Sequence, residues 1–154
     1  MMDKFKIRIC HHEDIGILTE TIRKSFRDVA QRFGLTRRNA PSHPSNCMLN
    51  WIRYDMERGV TYFIAENESR TAGCVACEQA SAKICYLERL AVLPEERNQG
   101  LGKALVERVL SNARELGAGT VSIGIIADHA ELKNWYRKIG FVEGETRTFI
   151  NLPF

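Results

Sequence analysis

Residues 90–105 read LAVLPEERNQGLGKAL and join a strand pattern to a helix pattern through a loop that carries two glycines. The apolar run 90–93 ends at a proline, a charged segment follows, and Gly100 and Gly102 stand where the helix begins. The amides of a first helical turn have no partner within their helix, and glycines let a ligand approach the backbone closely. The segment therefore predicts either an anion site or a glycine-rich turn that only begins a helix.

Two nucleotide-binding loops are excluded by the spacing. The Walker loop requires a glycine where this chain has Arg97, and a serine or threonine where it has Ala104. The dinucleotide-binding loop requires a third glycine where this chain has Leu105. What remains is the spacing RxxGxG, in which Arg97 can add a charge-assisted hydrogen bond to a bound anion.

Hydrophobic periodicity on both sides of this segment predicts one domain over residues 1–154, of the α+β (mixed α/β) class. Three successive strand patterns precede the glycines, and their connections are too short for helices, which predicts an antiparallel meander. A later strand, rich in β-branched residues, is predicted to be buried. The predicted elements are a strand at 4–10, helices at 13–33 and 45–58, strands at 60–67, 70–80 and 83–93, a helix at 100–116, a strand at 120–126, a helix at 129–139 and a final strand within 140–154.

The composition is typical of a soluble globular protein, with 44% apolar and 27% charged residues among 154. No segment approaches the roughly 18 apolar residues of a membrane span, and the opening MMDKFKIRIC lacks the apolar region of a secretory signal. We therefore expect a cytoplasmic protein without a membrane partner. A net charge of +3 is too small to indicate nucleic-acid binding, which only Arg37 and Arg38 would support.

The chain has five cysteines, an odd number that argues against a disulfide framework in a protein without an export signal. Cys74 and Cys77 lie in a strand pattern, so their thiols are expected on opposite faces of the sheet. This arrangement favours buried structural thiols over a redox or zinc site, and we expect no metal.

The glycine segment, together with NWYRKIGF at 134–141, resembles the GNAT superfamily of acyl-CoA-dependent N-acetyltransferases. In that family a strand ending in a V-x-P type sequence leads to an R/Q-x-x-G-x-G/A loop. A later helix carries Y-x-x-x-G-F, which Tyr136, Gly140 and Phe141 match here. The resemblance covers residue 4 to about 150. It implies the GNAT acyl-CoA N-acyltransferase fold, with a central, mostly antiparallel twisted sheet, a splayed strand pair and four flanking helices.

The resemblance also implies a site for acetyl-CoA. Arg97 and the amides of residues 99–103 would bind the pyrophosphate, and the backbone at Leu90 and Val92 would pair with the pantetheine arm at a bulge where the fourth and fifth strands splay. His129 stands where family members commonly carry asparagine; it would donate to CoA, act as a base or lie exposed in the first helical turn. The implied binding residues are Leu90, Val92, Arg97, Gln99, Gly100, Leu101, Gly102, Lys103 and His129.

Two residues are candidates for catalysis. Tyr136 occupies the family position of the general acid, although its spacing with Leu132 and Ile139 equally suits a core aromatic residue. Glu88 is the candidate base, acting directly or through a water, or else a strand carboxylate paired with Arg89. Asp128, followed three residues later by a glutamate, predicts a helix N-cap.

The activity implied is transfer of acetyl from acetyl-CoA to a primary amine, by direct attack in a ternary complex. A covalent route through Cys85 or Cys77 is weaker, because strand cysteines are usually buried and inert. A catalytically silent acyl-CoA-binding regulatory module is the alternative. A homodimer through the sheet edge is common for such folds.

The acceptor is not predicted beyond its amine. In this architecture the walls of its site come from residues 26–59 and from the last strand. Arginines at positions 32, 37 and 38 indicate an acidic group on the acceptor, whereas Asp55 and Glu57 indicate the opposite.

Overall fold

The computed structural model describes residues 5–124 and 129–142. In this part of the chain a five-stranded sheet, in the order β1-β2-β3-β4-β5, lies between two helical layers. The strands are β1 (Lys6–Ile9), β2 (Thr61–Asn67), β3 (Arg70–Gln79), β4 (Ile84–Val92) and β5 (Thr120–Ile123). The helices are α1 (Ile15–Arg32), α2 (Leu49–Glu57), α3 (Leu101–Glu115) and α4 (Ala130–Ile139).

The sheet is mostly antiparallel, as predicted. Strands β1 to β4 pair antiparallel with their sequence neighbours, and β5 joins β4 in parallel after the crossover through α3. Helices α1 and α2 cover one face through apolar side chains such as Leu18, Ile22 and Ile52, none of which is exposed to solvent. Helices α3 and α4 cover the other face, where Leu105 and Val109 are likewise fully buried.

The helix starts differ from the predictions for a local reason. A separate 3-10 turn, His12–Asp14, precedes α1, so the helix begins at Ile15 instead of residue 13. Another 3-10 turn, Pro44–Asn46, precedes α2, which begins at Leu49 instead of residue 45. His43 is the N-cap of that turn, and its ring accepts a hydrogen bond from the Ser45 amide, which competes with a continuous helix.

The predicted burial of β5 is wrong for the described residues. Thr120 is exposed and residues 121–123 are only half-buried, because in the described part of the chain β5 has a partner strand on one side only. The final strand and the Asp128 cap lie outside the described residues.

All five cysteines are free thiols in the buried interior. Cys74 packs on the α1 and α2 side, whereas Cys77 packs on the α3 side. The predicted placement of these two thiols on opposite faces is therefore confirmed. Among the helices of the described residues, none is long and apolar enough to cross a membrane.

Strand β4 carries a bulge just before its end. Cys74 pairs with Ala91 and Ala76 pairs with Glu88, so two residues of β4 stand opposite one residue of β3. Arg89, in the bulge, has a left-handed φ of 52°, a conformation that costs a non-glycine residue free energy. Among the described residues, the ladder between β4 and β5 ends at the pair Leu87 and Ile123, and Glu88 is the next residue of β4.

Candidate active site

The glycine loop leads directly into the first turn of helix α3. Asn98 and Gly100 both have left-handed φ values, of 63° and 81°, which turn the chain sharply into the helix. The first helical hydrogen bond runs from the Ala104 amide to the Gly100 carbonyl at 3.1 Å. The amides of residues 101–103 therefore precede the first acceptor of the helix, and their dipoles favour an anion at this end. The side chain of Leu101 is buried, whereas Lys103 is exposed beside the turn.

The side chain of Arg97 is hydrogen-bonded to helix α1 and so holds the glycine loop against that helix. Its guanidinium donates to the Asp28 carboxylate at 2.7 Å and to the Ser25 carbonyl at 2.7 Å. Its Nε donates to the Val92 carbonyl at 3.1 Å, so one predicted pantetheine position already has an intramolecular partner. The hydrogen bond from Arg97 also lowers the pKa of Asp28. An anion that takes Arg97 must therefore compete with a carboxylate.

Gly102 brings the loop and helix α4 together. A Cβ atom at this position would lie 3.0 Å from the Trp135 ring and 3.9 Å from a methyl group of Val92. Leu90 and Val92 pack against the same apolar cluster as Trp135. The absence of a side chain at Gly102 thus serves close packing between helices, whatever it also does for a ligand.

Tyr136 is a core residue at the far side of this contact. Its ring makes edge contacts with Trp135 and Phe141, at centroid distances of 4.9 and 5.4 Å, and the side chain is buried. Burial raises the pKa of the phenol, which keeps its proton in place at neutral pH. Tyr136 is thus a packed core residue, which was the predicted alternative. The role of Tyr136 as general acid stays a prediction.

Glu88 lies on the opposite face of the sheet, beside a second carboxylate. Burial, followed by the hydrogen bond and charge of Glu78, raises the pKa of Glu88 to about 7. Arg58 binds Glu78 at 2.9 Å and lowers the pKa of that carboxyl. One buried oxygen of Glu88, Oε1, has no hydrogen-bond partner within the described residues. Glu88 is therefore a carboxyl group that can exchange a proton near neutral pH.

Sequence reasoning did not find the network that surrounds this carboxylate. Arg89 donates through Nη1 to Asp55 at 2.8 Å and to the Tyr62 hydroxyl at 2.7 Å. Tyr62 in turn donates to the same Asp55 oxygen at 2.6 Å. An open cavity of about 580 Å³ adjoins the network, lined by Asn50, Trp51, Tyr54, Asp55, Arg58 and Arg89. The contacts depend on the register of three strands and the position of α2, which periodicity does not reveal.

His129 is the N-cap residue of α4 and faces the end of α1. Its ring lies 5.5 Å from that of Phe33, and its Nδ1 is buried without a hydrogen-bond partner in the described residues. Burial, then the nearby charge of Arg32, lowers its pKa, which favours neutral imidazole at pH 7. An ion pair of 3.4 Å between Arg32 and Glu131 joins the same two helices. His129 is thus half-buried at a contact between helices, and its predicted role toward CoA stays a prediction.

Known proteins resemble this chain in sequence and in fold. An uncharacterized N-acetyltransferase of Chlorobaculum tepidum is 28% identical over 88 residues, covering 57% of this chain and 54% of its own length. An amino-acid acetyltransferase of Pseudomonas putida is 30% identical over 125 residues, covering 79% of this chain and 27% of its own. The chain therefore spans about half the length of the first relative and about a quarter of the length of the second.

The fold has a close counterpart among solved structures. The PaiA N-acetyltransferase of Thermoplasma acidophilum, solved with coenzyme A, superimposes with a TM-score of 0.73 over 93% of this chain and 92% of its own, at 20% identity. The sequence profile of the acetyltransferase (GNAT) family matches residues 22–141, which include the glycine loop and the Tyr136 motif. This match extends over more than two thirds of the chain, and the protein belongs to the GNAT acetyltransferase family.

Proposed function

We propose that the protein transfers acetyl from acetyl-CoA to a primary amine by direct attack in a ternary complex. The observation that carries this proposal is the Glu88 carboxyl, which has a pKa of about 7 and one buried oxygen without a partner among the described residues. An ammonium ion must lose a proton before its nitrogen can attack a carbonyl carbon, and the nitrogen loses another as the amide forms; a carboxylate of this pKa can accept such a proton at neutral pH.

The reaction conserves atoms and charge through simple steps. The acceptor nitrogen forms a C–N bond to the acetyl carbon, and the C–S bond breaks with its electron pair on sulfur. Glu88, directly or through a water, takes the proton that the amine gives up, and Tyr136 is proposed to protonate the sulfur. The products are an N-acetyl amine and CoA thiol, with one proton released to solvent when the acceptor enters as an ammonium ion.

The residues present suit acetyl-CoA as the co-substrate. The amides of the first turn of α3 and the exposed Lys103 offer positive ends to a pyrophosphate. The backbone at Leu90 and Val92 is proposed to pair with the amide-bearing pantetheine arm, which at the Val92 carbonyl would replace the hydrogen bond from Arg97. The proposed binding set remains that of the sequence prediction: Leu90, Val92, Arg97, residues 99–103 and His129. A cytoplasmic location and a homodimer also remain predictions.

A covalent acetyl-cysteine route is less well supported. Cys77 and Cys85 are buried in the apolar cluster on the face covered by α3. Burial raises the pKa of the Cys77 thiol to about 11, so only a minute fraction is thiolate at neutral pH. No metal enters the proposed chemistry.

Calorimetric titration with acetyl-CoA tests the first half of the proposal. We expect micromolar, stoichiometric binding that weakens about tenfold in Lys103→Glu, because the new charge repels an anion at the helix N-terminus. Lys83→Glu is the matched control, since Lys83 is exposed at the opposite end of β4. Equal affinity of both variants for acetyl-CoA would show that the glycine loop does not bind the pyrophosphate.

An amine screen tests the second half. Purified protein is incubated with acetyl-CoA and a panel of amino acids, peptides, polyamines and aminoglycosides, and loss of the thioester is followed directly by its absorbance. Acetylation of any amine supports the enzyme. Tight binding of acetyl-CoA with no turnover on any amine would instead identify a catalytically silent acyl-CoA-binding module.

A further inference from the structure

The guanidinium of Arg89 is held rigidly beside the candidate base. Its Nη1 is fixed by Asp55 and Tyr62, and its central carbon lies 5.4 Å from the centre of the Trp51 ring. The side chain is only 20% exposed. Two polar anchors and one aromatic surface therefore determine where this charge sits, and little entropy remains to be lost when a ligand binds it.

The other edge of the guanidinium is open. Within the described residues, Nε and Nη2 of Arg89 make no hydrogen bond, and the residue lines the cavity beside α2. One N–H of Nε and one N–H of Nη2 lie parallel on this edge and form the fork that matches the two oxygens of a carboxylate. A buried, immobilised arginine with an open fork is suited to an anionic group of a ligand.

The acidic residues around the cavity are already occupied. Asp55 accepts from Tyr62 and Arg89 on one oxygen, and from Arg58 on the other at 2.9 Å. Glu78 accepts from Arg58 as well. These carboxylates are therefore paired with arginines, and little unpaired negative charge remains to bind a second cationic group of a polyamine.

The bulge places this fork next to Glu88 in the chain. Glu88 and Arg89 are consecutive, and both interact with Asp55 on the face covered by α1 and α2. An acceptor that presents its amine to Glu88 thus has its neighbouring atoms near Arg89. The rings of Trp51 and Tyr54 line the remaining wall of the cavity.

We propose that the acceptor is a free amino acid, whose carboxylate is bound by the Nε and Nη2 edge of Arg89 and whose side chain lies along Trp51 and Tyr54. This inference rests on the proposed function for its amine chemistry. Arg89 is then the residue that selects carboxylate-bearing acceptors, and the strained bulge is the backbone feature that sets amine and carboxylate side by side.

Three related amines test the proposal: L-leucine, L-leucinamide and 3-methylbutylamine, which share one side chain and differ in the carboxylate. We expect kcat/KM for leucine to exceed that for the other two by about 100-fold, as for loss of a bidentate charge-assisted pair. Arg89→Gln should lower kcat/KM about 100-fold more for leucine than for 3-methylbutylamine, because the change in the pKa of Glu88 that follows the loss of the arginine charge affects both amines equally. Arg114→Gln, an exposed position at the end of α3, is the charge-matched control.

A binding readout separates this proposal from the enzymatic one. In a Trp135→Phe background, Trp51 is the single tryptophan, and its fluorescence reports leucine binding to the CoA-loaded protein. Leucine binding without turnover would support the carboxylate site and reject the enzyme. Acetylation of spermidine or a peptide but of no free amino acid would overturn this proposal and leave the enzyme standing.

A folding defect in Arg89→Gln would not obscure the result. Arg89→Lys keeps the charge but lacks the fork, and it should recover less than a tenth of the preference for leucine over leucinamide. Equal binding of leucine and leucinamide to the unaltered protein would refute the proposal without any variant.

Discussion

Replacing Glu88 by glutamine separates its role in proton transfer from its role in packing. Glutamine has nearly the same size as glutamate but cannot accept the proton of the amine. With a pKa of about 7, Glu88 is ionised to about 10% at pH 6 and about 90% at pH 8. If the ionised form is the base, its contribution to kcat/KM therefore rises about tenfold over these two pH units.

The assay is the ratio of kcat/KM between the unaltered protein and Glu88→Gln, measured with one amine from pH 5.5 to 9. Ionisation of the amine itself affects both proteins equally, so it cancels from the ratio. We expect a ratio of about 100 at pH 8, typical of the loss of a general base, and about 10 at pH 6. Direct thioester absorbance avoids a thiol reagent whose own reaction depends on pH.

A second substitution tests the origin of the shifted pKa. After burial, Glu78 makes the largest contribution that raises the pKa of Glu88, while Asp55 raises it further and Arg89 lowers it. Glu78→Gln should therefore move the midpoint of the pH profile below 7. Glu115→Gln, exposed on α3, should leave the midpoint in place. A ratio that is constant with pH would refute the assignment of Glu88 as base.

Three further predictions concern packing and binding. Gly73→Ala should lower the free energy of unfolding in urea by about 3 kcal/mol, because its Cβ would lie 2.5 Å from the Ala91 carbonyl oxygen. The control Gly16→Ala, in α1, should not lower the free energy of unfolding, because its Cβ would meet nothing within 4 Å. Equal losses in the two variants would contradict the close approach of β3 to β4. Asp28→Asn should tighten acetyl-CoA binding several-fold in calorimetry, because Arg97 would lose its ion pair with Asp28 and could bind the pyrophosphate instead. Weaker binding would indicate that Arg97 only holds the loop against α1. Tyr136→Phe should lower kcat by about tenfold or more with little change in thermal stability, and unchanged turnover across pH would leave Tyr136 as a core residue alone.

The order of elements was predictable because it depends on local spacing. The antiparallel meander followed from connections too short for helices, and the bounds of α3 followed from glycines and a four-residue apolar repeat. The glycine loop and the Tyr136 motif resemble those of the GNAT family, and this resemblance led to the correct family. It could be found in the sequence because each motif is contiguous in the chain. The exact starts of α1 and α2 were missed, because short 3-10 turns carry no period of their own.

The sequence by itself determined the fold class, the family and the position of Glu88 within strand β4. Only the tertiary structure decided that Glu78 faces this carboxyl and that Arg97 is bound by Asp28. These contacts join residues 10 to 69 positions apart, and strand register and helix placement create them. The shifted pKa of Glu88 and the open fork of Arg89 belong to that assembled environment, since neither desolvation nor a fixed guanidinium exists in the unfolded chain.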